Sequence, residues 1–179
     1  MTLAQTIGAE DLTQAAVAEF GNALLFHEAV PSSHGAWWQC WEGAAELSSG
    51  RQWVGFVRAQ SGIREISEME RERGTEIIIP VEGEIIQVVA LGSIGEDGTE
   101  RPDPRSARAF VLKPGTALLM APGVWHAAAF GSAGEAAYFY VAERRKAEDS
   151  EGRGGWVALS EKLEVKICLD ERSAAPAGR

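Results

Sequence analysis

The segment Pro122-Gly123-Val124-Trp125-His126 carries the most specific local chemistry in the chain, a Pro-Gly turn feeding a strand whose third residue is histidine. Imidazole changes charge near neutral pH, so a histidine held this way can accept or donate a proton. Strand alternation predicts Val124, His126, Ala128 and Phe130 on one face, which sets His126 among small and apolar neighbours. Four carboxylates come earlier: Glu68, Glu70 and Glu72 at alternate positions, then Glu76. One histidine with glutamates suits either plain acid–base chemistry or a weak divalent-ion site lacking the usual imidazole majority. The same alternation of glutamates is also what a solvent-facing strand shows. Arg58 and Arg108 share strand faces with apolar residues, Val54 and Phe56 for the first, Phe110 and Leu112 for the second. Both are therefore predicted to point inward, where a guanidinium needs an anionic partner, either a structural glutamate or a bound anion.

The elements that must position these groups read as short strands separated by turn residues, the pattern of an all-β sandwich or barrel. Strands are predicted over residues 52–58, 63–67, 76–80, 84–91, 107–112, 116–120, 124–130 and 136–143. Glu82-Gly83, Lys113-Pro114-Gly115, Ala121-Pro122-Gly123 and Gly131 to Gly134 mark the turns. A short helix is expected between Gly8 and Phe20, capped by Asp11 or Thr13. Gly92 to Ser106 and Glu143 to Gly155 read as exposed loops, and Trp156 to Leu169 returns to an apolar pattern that packs back onto the barrel. Trp37, Trp38 and Trp41 are bulky enough to favour a core or a homodimer contact over a pocket mouth. His27 and His34 lie beside turn residues and are expected at the surface or an interface.

With 179 residues and 45% apolar content, the composition suits one domain, expected over residues 1–170 with a tail at 171–179. Cys40 and Cys168 match no ligand or redox spacing. The first basic residue is Arg51, so the amino terminus has the character of neither a secretory signal nor a mitochondrial presequence, and a cytoplasmic location is expected. The apolar runs are too short to cross a bilayer. A formal net charge of −9 repels phosphate backbones, which argues against nucleic acid as a partner.

Gly115 and the Pro122–His126 turn resemble the second motif of cupins, jelly-roll barrels in which that histidine points inward. Glu76, followed by six residues and Gly83, resembles the end of the first motif. Read together, Phe20-Gly21, Arg58-Ala59-Gln60, Glu68-Met69-Glu70-Arg71, Gly74-Thr75-Glu76, Arg108-Ala109-Phe110 and Val124-Trp125-His126 resemble the ureidoglycolate lyase family in order and spacing. The resemblance implies a cupin-type jelly-roll barrel with a short N-terminal helix and few peripheral helical turns, forming a homodimer that splits ureidoglycolate into glyoxylate and urea. It makes His126 and one of Glu70 or Glu76 the acid–base candidates, Arg58 or Arg108 the clamp for the substrate carboxylate, and Trp125 a substrate contact. A divalent metal ion is left open. Where family members follow the Trp-His pair with histidine and proline, this chain has Ala127 and Ala128, which points to a smaller, drier pocket. The alternative is a non-catalytic barrel binding a small carboxylate. An arginine and a carboxylate sharing one space with His126 would favour the enzyme.

Overall fold

The computed structural model describes residues 5–47, 51–62, 65–143 and 155–167. In chain order the strands are β1 (Gln5–Asp11), β2 (Gly21–Leu25), β3 (Ser33–His34), β4 (Gln39–Cys40), β5 (Gln52–Ala59), β6 (Glu65–Arg71), β7 (Glu76–Glu82) and β8 (Ile85–Ala90). They continue with β9 (Gly92–Ile94), β10 (Glu100–Pro102), β11 (Arg108–Leu112), β12 (Thr116–Met120), β13 (Trp125–His126), β14 (Phe130–Gly131), β15 (Ala136–Glu143) and β16 (Val157–Ile167). Among the described residues the helical pieces are one α-helix, α1 (Gln14–Val17), and a 3-10 turn at Pro104–Ser106.

Two sheets organise the molecule. The first closes on itself in the order β11-β1-β16-β6-β13-β8, with β8 pairing back to β11 and β14 added outside. Since β1 runs parallel to both β11 and β16 while the other pairs are antiparallel, this ring is a mixed six-stranded barrel. The second sheet is antiparallel, in the order β2-β12-β7-β15-β5. Alternation along β8 shows how they share a core. Ile86, Val88 and Ala90 face the inside of the ring with Met69, Ala109, Trp125 and Leu163, whereas Ile85 and Val89 face the second sheet with Phe110, Leu118, Met120 and Tyr138. Every residue of β8 is buried, which explains why Ile85 to Leu91 reads as an apolar run rather than an alternating strand.

Several expectations change at this level. The predicted helix from Gly8 to Phe20 is a strand through Asp11 followed by a single helical turn, because parallel pairing of β1 on both of its edges outweighs local helix propensity. Thr13 is the cap, its hydroxyl accepting from the Ala16 amide at 3.1 Å. The predicted loop at Gly92–Ser106 contains the β9–β10 hairpin and the 3-10 turn. The strand predicted over 124–130 breaks into β13 and β14 around residues 127–129, and the break changes the phase of alternation. Phe130 packs with Trp125 inside the ring instead of sharing a face with His126. Strand β5 presents the opposite face from the one expected, for reasons given below. The return of the chain after Trp156 is β16, bonded to β1 and β6. Residues 144–154 of the second predicted loop, Cys168 and the 171–179 tail lie outside the described residues.

Candidate active site

His126 owes its position to the turn before it. Ala121-Pro122-Gly123-Val124 is a type II turn, with proline at its second position, Gly123 at φ +82° at its third, and the Val124 amide bonded to Ala121 O at 3.2 Å. The Gly123 amide also donates to Glu72 O at 2.9 Å, which ties the turn to the end of β6. Downstream, the Gln87 amide group donates to Ala127 O at 2.7 Å and Val88 O at 3.1 Å, holding the chain where β13 stops. A two-residue strand is thus fixed at both ends. In its register Trp125 lies opposite Arg71 and Ala90, while His126 lies opposite Glu70 and Val89. The tryptophan therefore enters the core of the ring, under the Arg71 guanidinium at 4.7 Å, and the histidine faces the gap between the sheets.

In that gap His126 is buried, with Nε2 3.2 Å from Glu76 Oε2 and 4.0 Å from Glu70 Oε1. Glu70 comes from the same sheet; Glu76 comes from β7 of the second sheet, where it is paired with Met120. Nδ1 of the ring lies 3.4 Å from Val124 O. Both ring nitrogens therefore face oxygen acceptors, so a proton on either nitrogen has a partner. Strand alternation along β6 sends Glu70 and Glu72 to this side and Met69 into the ring core. Two of the three alternating glutamates consequently line a cavity, which the solvent-facing reading of that pattern did not foresee.

The cavity has a volume of about 460 Å³, and His126, Glu70, Glu72, Glu76 and Glu143 share its wall with Gln87, Tyr138, Tyr140, Trp53 and Trp156. Four carboxylates reach its wall, while alanines, including Ala127 and Ala128, and aromatic rings make up most of the surface, in line with the drier pocket expected. The two tyrosines carry little signal in the sequence, because strand and core aromatics are common. Their signal was alternation: in β15 the inward set is Tyr138, Tyr140 and Ala142. Burial pushes the Tyr138 phenol up to about 12; a backbone hydrogen bond from Ala129 opposes the rise, and the charges of Glu76 and Glu70 add to it. Tyr140 lies across Gly55 of β5, where a Cβ would sit 2.0 Å from its ring. Gly55 is thus the residue that lets this ring reach the cavity.

The other sequence candidates are placed elsewhere. Because Gly55, Val57 and Ala59 face inward, Val54, Phe56 and Arg58 project outward, with Val54 68% and Phe56 50% exposed; Trp53 lines the cavity while 51% exposed. The Arg58 guanidinium lies 3.4 Å from Glu82 and 5.9 Å from the Phe56 ring. Arg58 does line a second groove of about 470 Å³, which shares Val57, Tyr138, Trp156 and residues 127–129 with the first cavity. Arg108 keeps its apolar strand face, lying 5.6 Å over the Phe110 ring, but its Nε donates to Glu10 at 2.7 Å and it lines neither space. Among the described residues no lysine or arginine lines the His126 cavity. Nor do three His, Cys, Asp or Glu side chains among them converge on a point that would hold a metal ion, so this donor set does not fit the multi-ligand site of a metal cupin. His27 is exposed beside Glu28, and His34 is exposed in β3.

Fold and site together define an all-β protein, a closed six-stranded mixed barrel with a second sheet and an imidazole–carboxylate group set in a cavity between them. The chain belongs to the ureidoglycolate lyase family, whose sequence model matches residues 4–154. No curated protein matches it. Among solved structures it is similar to RmlC from Streptococcus suis, described in complex with dTDP-D-xylose, at 14% identity and a TM-score of 0.38, covering 56% of this chain and 47% of that one. The chain therefore spans about half the length of that relative. It is also similar to peruvianin-I, a cysteine peptidase from Thevetia peruviana latex, at 15% identity and a TM-score of 0.35, covering 75% and 74% of the two chains. No helix among the described residues is long and apolar enough to cross a membrane.

Proposed function

We propose that this chain is a carbon–nitrogen lyase that splits ureidoglycolate into glyoxylate and urea, with His126 and Glu76 as its proton-transfer pair. The observation that carries the reading is the 3.2 Å approach of His126 Nε2 to Glu76 at the wall of a substrate-sized cavity. The substrate is a carbinolamine, and its collapse needs two proton movements. The Glu76 carboxylate takes the proton of the 2-hydroxyl, the carbonyl forms as the C–N bond breaks, and the bond electrons go to nitrogen. The His126 imidazolium protonates that nitrogen as urea departs. Transfer of the proton from Glu76 to His126 then restores the starting state, so atoms and charges balance over the cycle. Tyr138 keeps its proton throughout the neutral range and offers a donor to the reacting oxygen. Glu70, 4.0 Å from the imidazole, holds the ring toward the cavity.

The substrate carboxylate is best accommodated toward the adjoining groove, on the side that carries Arg58. A non-catalytic barrel that binds a small carboxylate is the second reading: the carboxylate that favours the enzyme lies beside His126, the arginine lies only in the adjoining groove, and the activity assay separates the two. In keeping with the family reading, the protein is expected to work as a cytoplasmic homodimer. The test is glyoxylate release from ureidoglycolate by the parent protein and by His126→Ala. Activity in the parent that is lost in the variant supports the proposal; a folded parent without activity above background overturns it.

A further inference from the structure

Gln87 is a polar residue in an apolar place. It shares its face of β8 with Ile85 and Val89, lies opposite Phe110 of β11, and is 1% exposed. A buried amide needs partners both for its N–H groups and for its oxygen. The nitrogen has them, since Nε2 donates to Ala127 O at 2.7 Å and to Val88 O at 3.1 Å. Those two carbonyls also fix the orientation of the group, because the reversed amide would set its own oxygen against theirs. Oε1 is thereby turned away from both, and among the described residues none donates to it. The space it meets is the His126 cavity, whose wall Gln87 joins; it does not reach the adjoining groove that carries Arg58. Along β8 it stands two residues, about 7 Å, from Val89, the residue opposite His126. A small molecule beside the imidazole therefore reaches this oxygen as well.

The atom sets the chemistry of what it meets. A carboxamide oxygen is a neutral acceptor: it bonds an N–H or O–H and offers nothing to a carbonyl or a methyl. Resting on the lyase reading of the same cavity, we infer that Gln87 is a specificity-determining residue for the leaving group, its Oε1 accepting from the terminal NH2 of the substrate's ureido group. That places the ureido end at Gln87 and the carboxylate end toward the groove. An N-acyl group of the same shape, with a methyl in place of the NH2, leaves the oxygen unpaired, and a buried polar atom left unpaired rejects a ligand more strongly than a lost apolar contact does.

The experiment is calorimetric titration of the full chain with two unreactive ligands of nearly equal shape, N-carbamoylglycine and N-acetylglycine, for the parent and for Gln87→Met. The parent is expected to bind N-carbamoylglycine about tenfold more tightly, and the variant to lose that preference while its affinity for N-acetylglycine changes little. If Gln87 only holds residues 127–129 through the two carbonyl bonds, the variant weakens both ligands together and keeps the preference, which overturns the inference. Equal affinities in the parent overturn it without any variant, as does binding of neither ligand at millimolar concentration. A second readout that needs no substitution is the side-chain amide resonance of Gln87 in the isotope-labelled parent, expected to shift on addition of N-carbamoylglycine; an unmoved resonance with the ligand bound contradicts the contact. Glyoxylate release is scored apart from binding. A parent that releases glyoxylate but binds both ligands equally keeps the lyase and removes this role of Gln87, whereas a preference that depends on Gln87 without glyoxylate release keeps the subsite and removes the lyase.

Discussion

His126 and Glu76 come from different sheets, so their 3.2 Å contact depends on side chains whose loss changes chemistry before it changes the fold. Glu76→Gln keeps the size and removes the base. It is expected to lower kcat by about 10²–10⁴-fold with a small effect on KM, measured by steady-state glyoxylate release. Tyr138 gives a second test, because the chain has only two tyrosines. Its folded-state pKa is raised from 10.0 to about 12. The neutral phenol is therefore favoured by folding, and that stabilisation, roughly 2–3 kcal/mol, is complete below pH 10 and lost as pH rises toward 12. Tyrosinate absorbance should show one group ionising near 12, and Tyr138→Phe should remove that step and flatten the alkaline loss of stability. Ionisation of Tyr138 near 10 in the folded protein would contradict the burial of this phenol among carboxylates.

At the scale of elements, β5 sets the shape of the cavity through Gly55. Gly55→Ala places a methyl within 2.0 Å of the Tyr140 ring, so the ring must move. The substitution is expected to cost about 1–3 kcal/mol by denaturant unfolding and to raise KM by reshaping the wall. This strand also shows where sequence reading stops. Val54 and Phe56 suggest an inward face that would carry Arg58, yet Gly55, Val57 and Ala59 face in together with Trp53, and Gly55 makes room for Tyr140. No pattern in β5 alone reveals a constraint that lies in β15. By contrast, β12 and β15 were legible to the residue, bounded by turn signals on both sides, and the Pro122-Gly123 turn was legible too, whereas the small apolar neighbours expected for His126 are in fact Glu70 and Glu76. Strand β1 was not legible as a strand, because Ala9 and Glu10 run into the helix-favouring stretch from Leu12 to Glu19 and only its two parallel partners, more than ninety residues away in sequence, hold it extended. Glu70 and Glu76 could be named as partners of His126, but choosing the inner face for Glu72 required the register of β6 against β13.

The whole molecule is a closed barrel with a second sheet laid against it, and the cavity lies where the two meet. That arrangement leaves Trp37 88% exposed, whereas Trp41 is tied down by its indole bond to Ala29 O at 3.0 Å and its edge contact with Phe26. The homodimer reading expects Trp37 to be covered by a second copy. Sedimentation equilibrium should give twice the chain mass, falling to one chain mass in Trp37→Ser; a monomeric parent would remove this contact. The central claim concerns the chemistry in the cavity, and the most direct measurement is product analysis after incubation with ureidoglycolate. The account predicts glyoxylate and urea in equal amounts from the parent protein and neither above background from His126→Ala. A folded parent that releases no glyoxylate, or a His126→Ala variant that releases it at the parent rate, would contradict it.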